Sequence, residues 1–186
     1  MWPVQNQDKD EWMLTYTGKK IYPLRVRSED ICLLDIAHSL AQKCRFTGHT
    51  RAFYSVAQHS VLVSRHTYPR RLAAWGLLHD AAEAYLPDVC SNIKHRFPLI
   101  VKAEKRILKA VAERFGLPRL SKADVVEIKR ADVLACYWEG RRLMPLGHNA
   151  QWDGPGPERV IQIVPWPAVE AERRFLRRAK ALLGGE

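Results

Sequence analysis

No stretch of this chain approaches the roughly 18 uninterrupted apolar residues that a membrane-spanning helix needs, so no transmembrane helix is expected. Cysteine is sparse. Cys32, Cys44, Cys90 and Cys136 are widely scattered and form no Cys-x-x-Cys pair. Their spacing excludes a zinc ribbon and argues against a disulfide framework, leaving inert or buried thiols. Internal repeats are absent. Acidic side chains are in deficit, 20 Asp and Glu against 30 Lys and Arg, for a net charge of +10. That balance favours anionic partners without separating a nucleic acid from a small phosphorylated compound. The opening stretch, Met1 to Glu11, is polar and acidic and contains Pro3. It lacks the apolar core of a secretory signal, so a cytoplasmic location is expected.

What is present is enough for one globular unit. Apolar residues make up 47% of 186 positions, and residues 1–186 are expected to form a single domain with a substantial core. Residues 12 to 27, with Gly18 and Pro23, read as extended or looped, with room for a short hairpin. From Ser28 onward the pattern is helical almost throughout, and the fold class is all-α. Ser28 or Asp30 caps a first helix carrying Ile36, Ala37, Leu40, Ala41 and Cys44. After a loop over 45–54, Ser55 caps a second helix with Val56, Leu62 and Val63 inward. Pro69 opens a third that runs to about Tyr85 and stops at Pro87. A fourth starts near Pro98 and stops at Gly116 and Pro118, and Ser121 with Asp124 forms a capping box for a fifth. Residues 144–167 are the longest irregular segment, and a last helix covers 167–184. Its Arg173, Arg174, Arg177, Arg178 and Lys180 go all around the helix and read as a solvated surface.

The chemistry lies in polar residues placed where helix cores belong. His59 sits three and four positions from Val56 and Val63, so it points inward with them. His79 shares a face with Leu72 and Trp75, Asp80 follows it, and Asp132 shares a face with Ile128 and Ala135. A single inward histidine is usually a satisfied core residue. Two buried carboxylates with two inward histidines are costly unless they are paired or bind a metal. Imidazole nitrogen with carboxylate oxygen suits Zn, Mn, Fe, Co or Ni better than Ca. Four protein ligands leave open positions on an ion that can expand to six. Glu83, one helical turn after His79, is placed to exchange a proton beside such an ion, and Asp88 follows Pro87 just past the helix end.

These residues resemble a known family. His59, His79-Asp80 and the distant Asp132 are similar to the H…HD…D signature of HD-domain metal-dependent phosphohydrolases. The longer string Leu78-His79-Asp80-Ala81-Ala82-Glu83-Ala84-Tyr85-Leu86-Pro87-Asp88 resembles the HD-x-x-E-x-x-x-x-D pattern of bacterial 5′-deoxynucleotidases and phage dATP-degrading phosphohydrolases. Cys44 to Thr50, followed by Tyr54 to Ser60, looks like the corresponding entry to the first metal ligand. The resemblance covers roughly residues 30 to 140 and implies an HD-type helical bundle. It implies His59, His79, Asp80 and Asp132 as ligands of one divalent transition metal (Co, Mn or Zn), with Glu83 and Asp88 catalytic. Arg45-Phe46 stands where the deoxynucleotidases carry a nucleotide-contacting Arg-Trp pair, so an aromatic is kept and the indole is not. Lys94 matches a basic position after the HD helix and either meets a phosphate or is a solvated surface lysine. His49 and Arg51 share the loop of Arg45 and are further candidates to face substrate.

The expected function is hydrolysis at the 5′-phosphate of a nucleotide or deoxynucleotide, from mono- to triphosphate. The expected partner is that small molecule, with no membrane and no stable nucleic-acid complex, in a homo-oligomer such as similar enzymes form. Two rivals are weighed against it. One is a non-catalytic nucleic-acid-binding helical module, supported by the basic C-terminal helix but not by Glu83 and Asp88, whose charge it does not need. The other is an HD-type phosphodiesterase of a signalling nucleotide. It would call for a second histidine-rich set after residue 88, where only His95 and His148 occur, both read as surface residues.

Overall fold

A computed structural model describes residues 11–145 and 160–184 of the chain. Seven α-helices account for most of them: α1 (Leu33–Gln42), α2 (Val56–His66), α3 (Ala73–Leu78), α4 (Ser91–Lys94), α5 (Pro98–Arg114), α6 (Lys122–Leu143) and α7 (Ala168–Leu183). The strands are β1 (Met13–Leu14) and β2 (Lys20–Ile21), an antiparallel pair forming the short N-terminal hairpin. The all-α class expected from periodicity is therefore what the chain forms. Of the irregular segment at 144–167, residues 146–159 lie outside the described ones, and so does His148.

The centre of the bundle is α2, packed against α1, α3, α6 and α7. Its residues Val56 to Val61, then Val63 and Ser64, are all buried. On a helix covered this fully, buried polar groups are costly without partners, and Gln58 has two. The Gln58 side chain donates to Val164 O (2.8 Å) and accepts from Trp166 N (2.8 Å), pinning the extended segment before α7 onto α2. On α7, buried Ala171, Phe175 and Ala179 recur every four residues and face α1, α2 and α3, while Arg173 and Arg177 face solvent. The other two arginines are not simply solvated. The Arg174 guanidinium lies over the Trp166 ring (4.3 Å), and Arg178 donates to Ser64 Oγ (2.8 Å) and Ser64 O (3.0 Å).

Several helix signals act where the sequence places them. Ser55 accepts from Gln58 N at the start of α2, and Ser121 and Asp124 form a reciprocal capping box on α6. Others do not. Ser28–Asp30 is a separate 3₁₀ turn, and α1 starts later, after Cys32, with no side-chain cap. The single helix expected from Pro69 to about Tyr85 is broken into a 3₁₀ turn (Arg70–Leu72), α3, and a second 3₁₀ turn (Ala81–Ala84). The cause is at Asp80, whose backbone leaves the α region for φ −99°, ψ 12°. Buried Ala81, Ala82 and Ala84 let the tightened turn press against α1 and α5. The hairpin is tied to α1: Thr17 donates twice to buried Asp35 (2.7 and 3.0 Å), and the Tyr16 ring stacks on His38 (3.6 Å between centroids).

The α2–α3 contact is close enough to need a glycine. A Cβ on Gly76 would overlap Thr67 Oγ1 and press on Ser64 Cα at 3.1 Å. The Thr67 hydroxyl is itself held by Val63 O (2.9 Å), so it has nowhere to swing. Gly76→Ala is expected to destabilise the fold by about 2 kcal/mol, the usual range for overpacking a tight contact. Urea unfolding checks this, and an unchanged midpoint would mean the two helices are not so closely apposed.

Candidate metal centre

Four elements bring the site together. His59 comes from the second turn of α2, His79 and Asp80 from the break after α3, and Asp132 and Glu139 from one face of α6 two turns apart. Arg45 comes from the loop before α2, where Cys44 and Ser55 form an antiparallel bridge and Arg45 N donates to Tyr54 O (2.8 Å). Phe46 and Thr47, next in that loop, both have positive φ (53° and 52°), a costly backbone for non-glycine residues.

His59, His79 and Asp80 each offer one ligand atom, and these atoms lie within 4.8 Å of one another. The His79 Nε2 to Asp80 Oδ2 distance is 3.2 Å, and His59 Nε2 to Asp80 Oδ2 is 3.9 Å. Asp132 adjoins the group, with Oδ1 3.2 Å from His59 Nε2. A cation bound through bonds of about 2.1 Å sets neighbouring ligand atoms roughly 3.0–3.5 Å apart. The observed separations are close to that. Both Nε2 atoms are buried and have no hydrogen-bond partner, although each faces carboxylate oxygen. Both Nδ1 atoms are occupied, His79 by Gly76 O (2.9 Å) and His59 by Glu139 Oε1 (2.9 Å). The donor set and the two orphaned nitrogens fit a divalent transition metal.

On a continuous helix His79 and Asp80 would point about 100° apart. The Asp80 carboxylate nonetheless lies beside the imidazole of its neighbour, Oδ2 being 3.2 Å from His79 Nε2.

A residue that the pattern reading passed over lies behind the ligands. Glu139 is fully buried, at 0% exposure, and accepts from His59 Nδ1, Tyr54 OH (2.9 Å) and Arg45 NH2 (3.1 Å). The signal that could have found it is its spacing of seven from Asp132, which places both on one face of α6. Tyr54, also fully buried, had no such signal. On the outer side, Lys129 donates to Asp132 Oδ2 (2.6 Å).

The electrostatics reflect this crowding. For His59, burial and Arg45 oppose the charged ring, but Glu139 and Asp132 outweigh them and raise its pKa to about 9. Burial would push Asp80 and Asp132 upward. His79, His59 and Arg45 around Asp80, and the two histidines with Lys129 around Asp132, instead hold both well below the usual carboxylate range. Glu83 goes the other way: burial, then the charges of Asp80 and Asp88, push it up to about 8 against the pull of Lys94 and Lys43. With neutral histidines, the carboxylates of Asp80, Asp132 and Glu139 exceed the cations Arg45 and Lys129 by one charge. A dication would reverse that sign and make the centre attractive to an anion.

The remaining candidates take varied positions. Glu83 is half-buried in the 3₁₀ turn beside the ligands, and Asp88 is exposed yet near enough to act on Glu83 and Lys43. Lys43 donates to Glu83 O and to Leu86 O (2.7 Å), fixing the loop that carries both acids. Arg45 is held between Glu139 and Asp80, with NH1 4.0 Å from Asp80 Oδ2 and its guanidinium 5.5 Å from the Phe46 ring. Lys94 is neither a bare surface lysine nor a free cation, since it pairs with Glu104 at 2.7 Å. His49, Arg51 and His95 are exposed.

No family model matches the chain. It is 35% identical over 167 residues to the uncharacterized protein YfdR of Escherichia coli, covering 88% of this chain and 91% of that protein. It is also 35% identical over 148 residues to the uncharacterized protein RCAP_rcc00048 of Rhodobacter capsulatus, covering 73% of this chain and 74% of that protein. Among the described residues no helix is long and apolar enough to cross a membrane.

Because the ion and the proton compete for His59, metal binding should depend on pH. Below a pKa of about 9 the ion-free ring is protonated, so binding at pH 7 releases a proton. Affinity for Zn²⁺ or Co²⁺ is expected to rise by about tenfold per pH unit up to that value and then level off. Calorimetry in buffers of different ionisation enthalpy measures the released proton. A pH-independent affinity would show that His59 is not a ligand.

Proposed function

The chain belongs to the same family as YfdR, and we propose that it is a metal-dependent phosphohydrolase acting on the 5′-phosphate of nucleotides or deoxynucleotides, from mono- to triphosphates. The observation that carries the proposal is the pair of buried, unpartnered Nε2 atoms of His59 and His79 facing Asp80, with Asp132 adjoining. The resemblance of the string from Leu78 to Asp88 to deoxynucleotidases supplies the reaction class.

On this reading His59, His79, Asp80 and Asp132 hold one ion. When bound, that ion supplies Lewis-acid polarisation of phosphoryl oxygen and lowers the pKa of water in the site. The protein's own groups do the rest. Glu83, half-buried and raised in pKa, takes a proton from the attacking water as its oxygen bonds to phosphorus. The proton then passes to the sugar oxygen, or in a triphosphate to the bridging oxygen, as the bond from that oxygen to phosphorus breaks. Asp88 keeps Glu83 basic by its charge. Arg45 offsets the charge that develops on the phosphoryl oxygens, and Phe46 provides an aromatic face for base or sugar. Lys94, paired with Glu104, acts by its charge on Glu83 more than as a direct phosphate ligand.

A panel of nucleotides with phosphate detection, run across Co²⁺, Mn²⁺, Mg²⁺, Zn²⁺ and Ni²⁺, tests the proposal. Comparison of dAMP with dATP distinguishes release of single phosphates from removal of larger phosphate groups. Asp80→Ala is expected to abolish turnover with helical content unchanged by circular dichroism. Full activity in that variant, purified free of wild-type enzyme, would sink the mechanism. Glu83→Gln should lower kcat by about 10²–10⁴-fold. In the wild type, kcat/KM should rise with pH through the Glu83 pKa, which a bound dication draws below 8 by offsetting Asp80. Persistence of that acid limb in Glu83→Gln at wild-type rate would remove Glu83 from the proton path.

A further inference from the structure

We infer that Glu139 is the positioning residue of this centre: its carboxylate fixes the His59 ring with Nε2 toward the ion and tethers Arg45 beside it. The inference rests on the metal-binding part of the reading above and is independent of which phosphate ester is cleaved.

The bonding at Glu139 leaves little freedom. An ionised carboxylate only accepts, so the atom of His59 facing it must be the N–H. Glu139 Oε1 and Oε2 lie 2.9 and 3.1 Å from His59 Nδ1, which makes Nδ1 the protonated nitrogen and leaves the Nε2 lone pair for the ion. His79 is oriented the same way by a neutral group, the Gly76 carbonyl. A neutral acceptor is thus sufficient to set a tautomer in this protein, and a buried carboxylate is a costly substitute for one. What a carboxylate adds is the second task. Glu139 Oε2 also receives Arg45 NH2 at 3.1 Å, and Tyr54 OH completes Oε1. One charged group therefore spaces a metal ligand and a guanidinium that sits 4.0 Å from a second ligand, Asp80. Carboxylates behind metal-bound histidines raise ligand basicity and typically account for 10–100-fold in metal affinity.

A purely structural account, in which Glu139 only anchors α6 to the Arg45 loop through a buried ion pair, makes a different forecast. It moves stability and leaves the metal affinity of folded protein unchanged. The test uses the full chain and Co²⁺, titrated against a chromophoric chelator. E139Q is expected to bind Co²⁺ 10–100-fold more weakly than wild type, with Y54F, which spares the His59 bond, staying within about threefold of wild type on the same reasoning. A long-range ¹H–¹⁵N correlation spectrum of ¹⁵N-labelled wild-type protein loaded with Zn²⁺ reads the tautomer directly, and it decides the matter if E139Q does not fold. A protonated Nδ1 on His59 supports the assignment. Wild-type Co²⁺ affinity in folded E139Q, or an unprotonated Nδ1 in the Zn²⁺-loaded spectrum, overturns it while leaving the metal site standing. Failure of the wild type itself to bind Co²⁺ or Zn²⁺ removes both the site and this role.

Discussion

A histidine at zero exposure, on a helix buried all round, has acidic side chains on both of its nitrogens: Glu139 on Nδ1, Asp132 and Asp80 near Nε2. Most of the architecture can be understood as what is needed to keep that arrangement in a protein interior. Buried carboxylates are tolerated only when cations and donors converge on them. Arg45 from the preceding loop, Tyr54 from the chain entering α2, and Lys129 from the outer side of α6 are those groups. Two of the three lie within fifteen residues before His59, so the loop and the helix are placed as one piece.

The elements that hold the candidate ligands differ in how they are fastened. His59 stands on the central helix, which Ser55 caps and whose Gln58 side chain fastens the segment before α7. Asp132 and Glu139 stand on the longest helix, started by a full capping box. The HD pair stands where the helix breaks, with Asp80 Oδ2 3.2 Å from His79 Nε2. Glu83 and Asp88 follow in a short turn and loop tied down by Lys43.

The relatives bear on kinship more than chemistry. Agreement with YfdR across nearly the whole length of both chains makes the fold common property of that family. Neither relative carries an assigned activity in its name, so the reaction rests on the geometry and on the resemblance of the HD string.

Local chemistry in the sequence determined a good deal: the all-α class, the caps at Ser55 and Ser121 and the inward placement of His59. Each follows from spacing along a helix, which a linear chain displays. The kink at Asp80 was not legible, because Ala81 to Tyr85 are good continuations of a helix and only packing against α1 and α5 favours the tighter turn. Lys94 read equally well as a phosphate contact, since its partner Glu104 lies on the next helix and only the fold brings them together. The role of Glu139 was hidden for the same reason. A glutamate in a charged helix is ordinarily solvated, and what buries this one is the meeting of α6 with α2 and the Arg45 loop. Tertiary structure alone decides that, because burial and the partners of a charge are set by contacts distant in sequence.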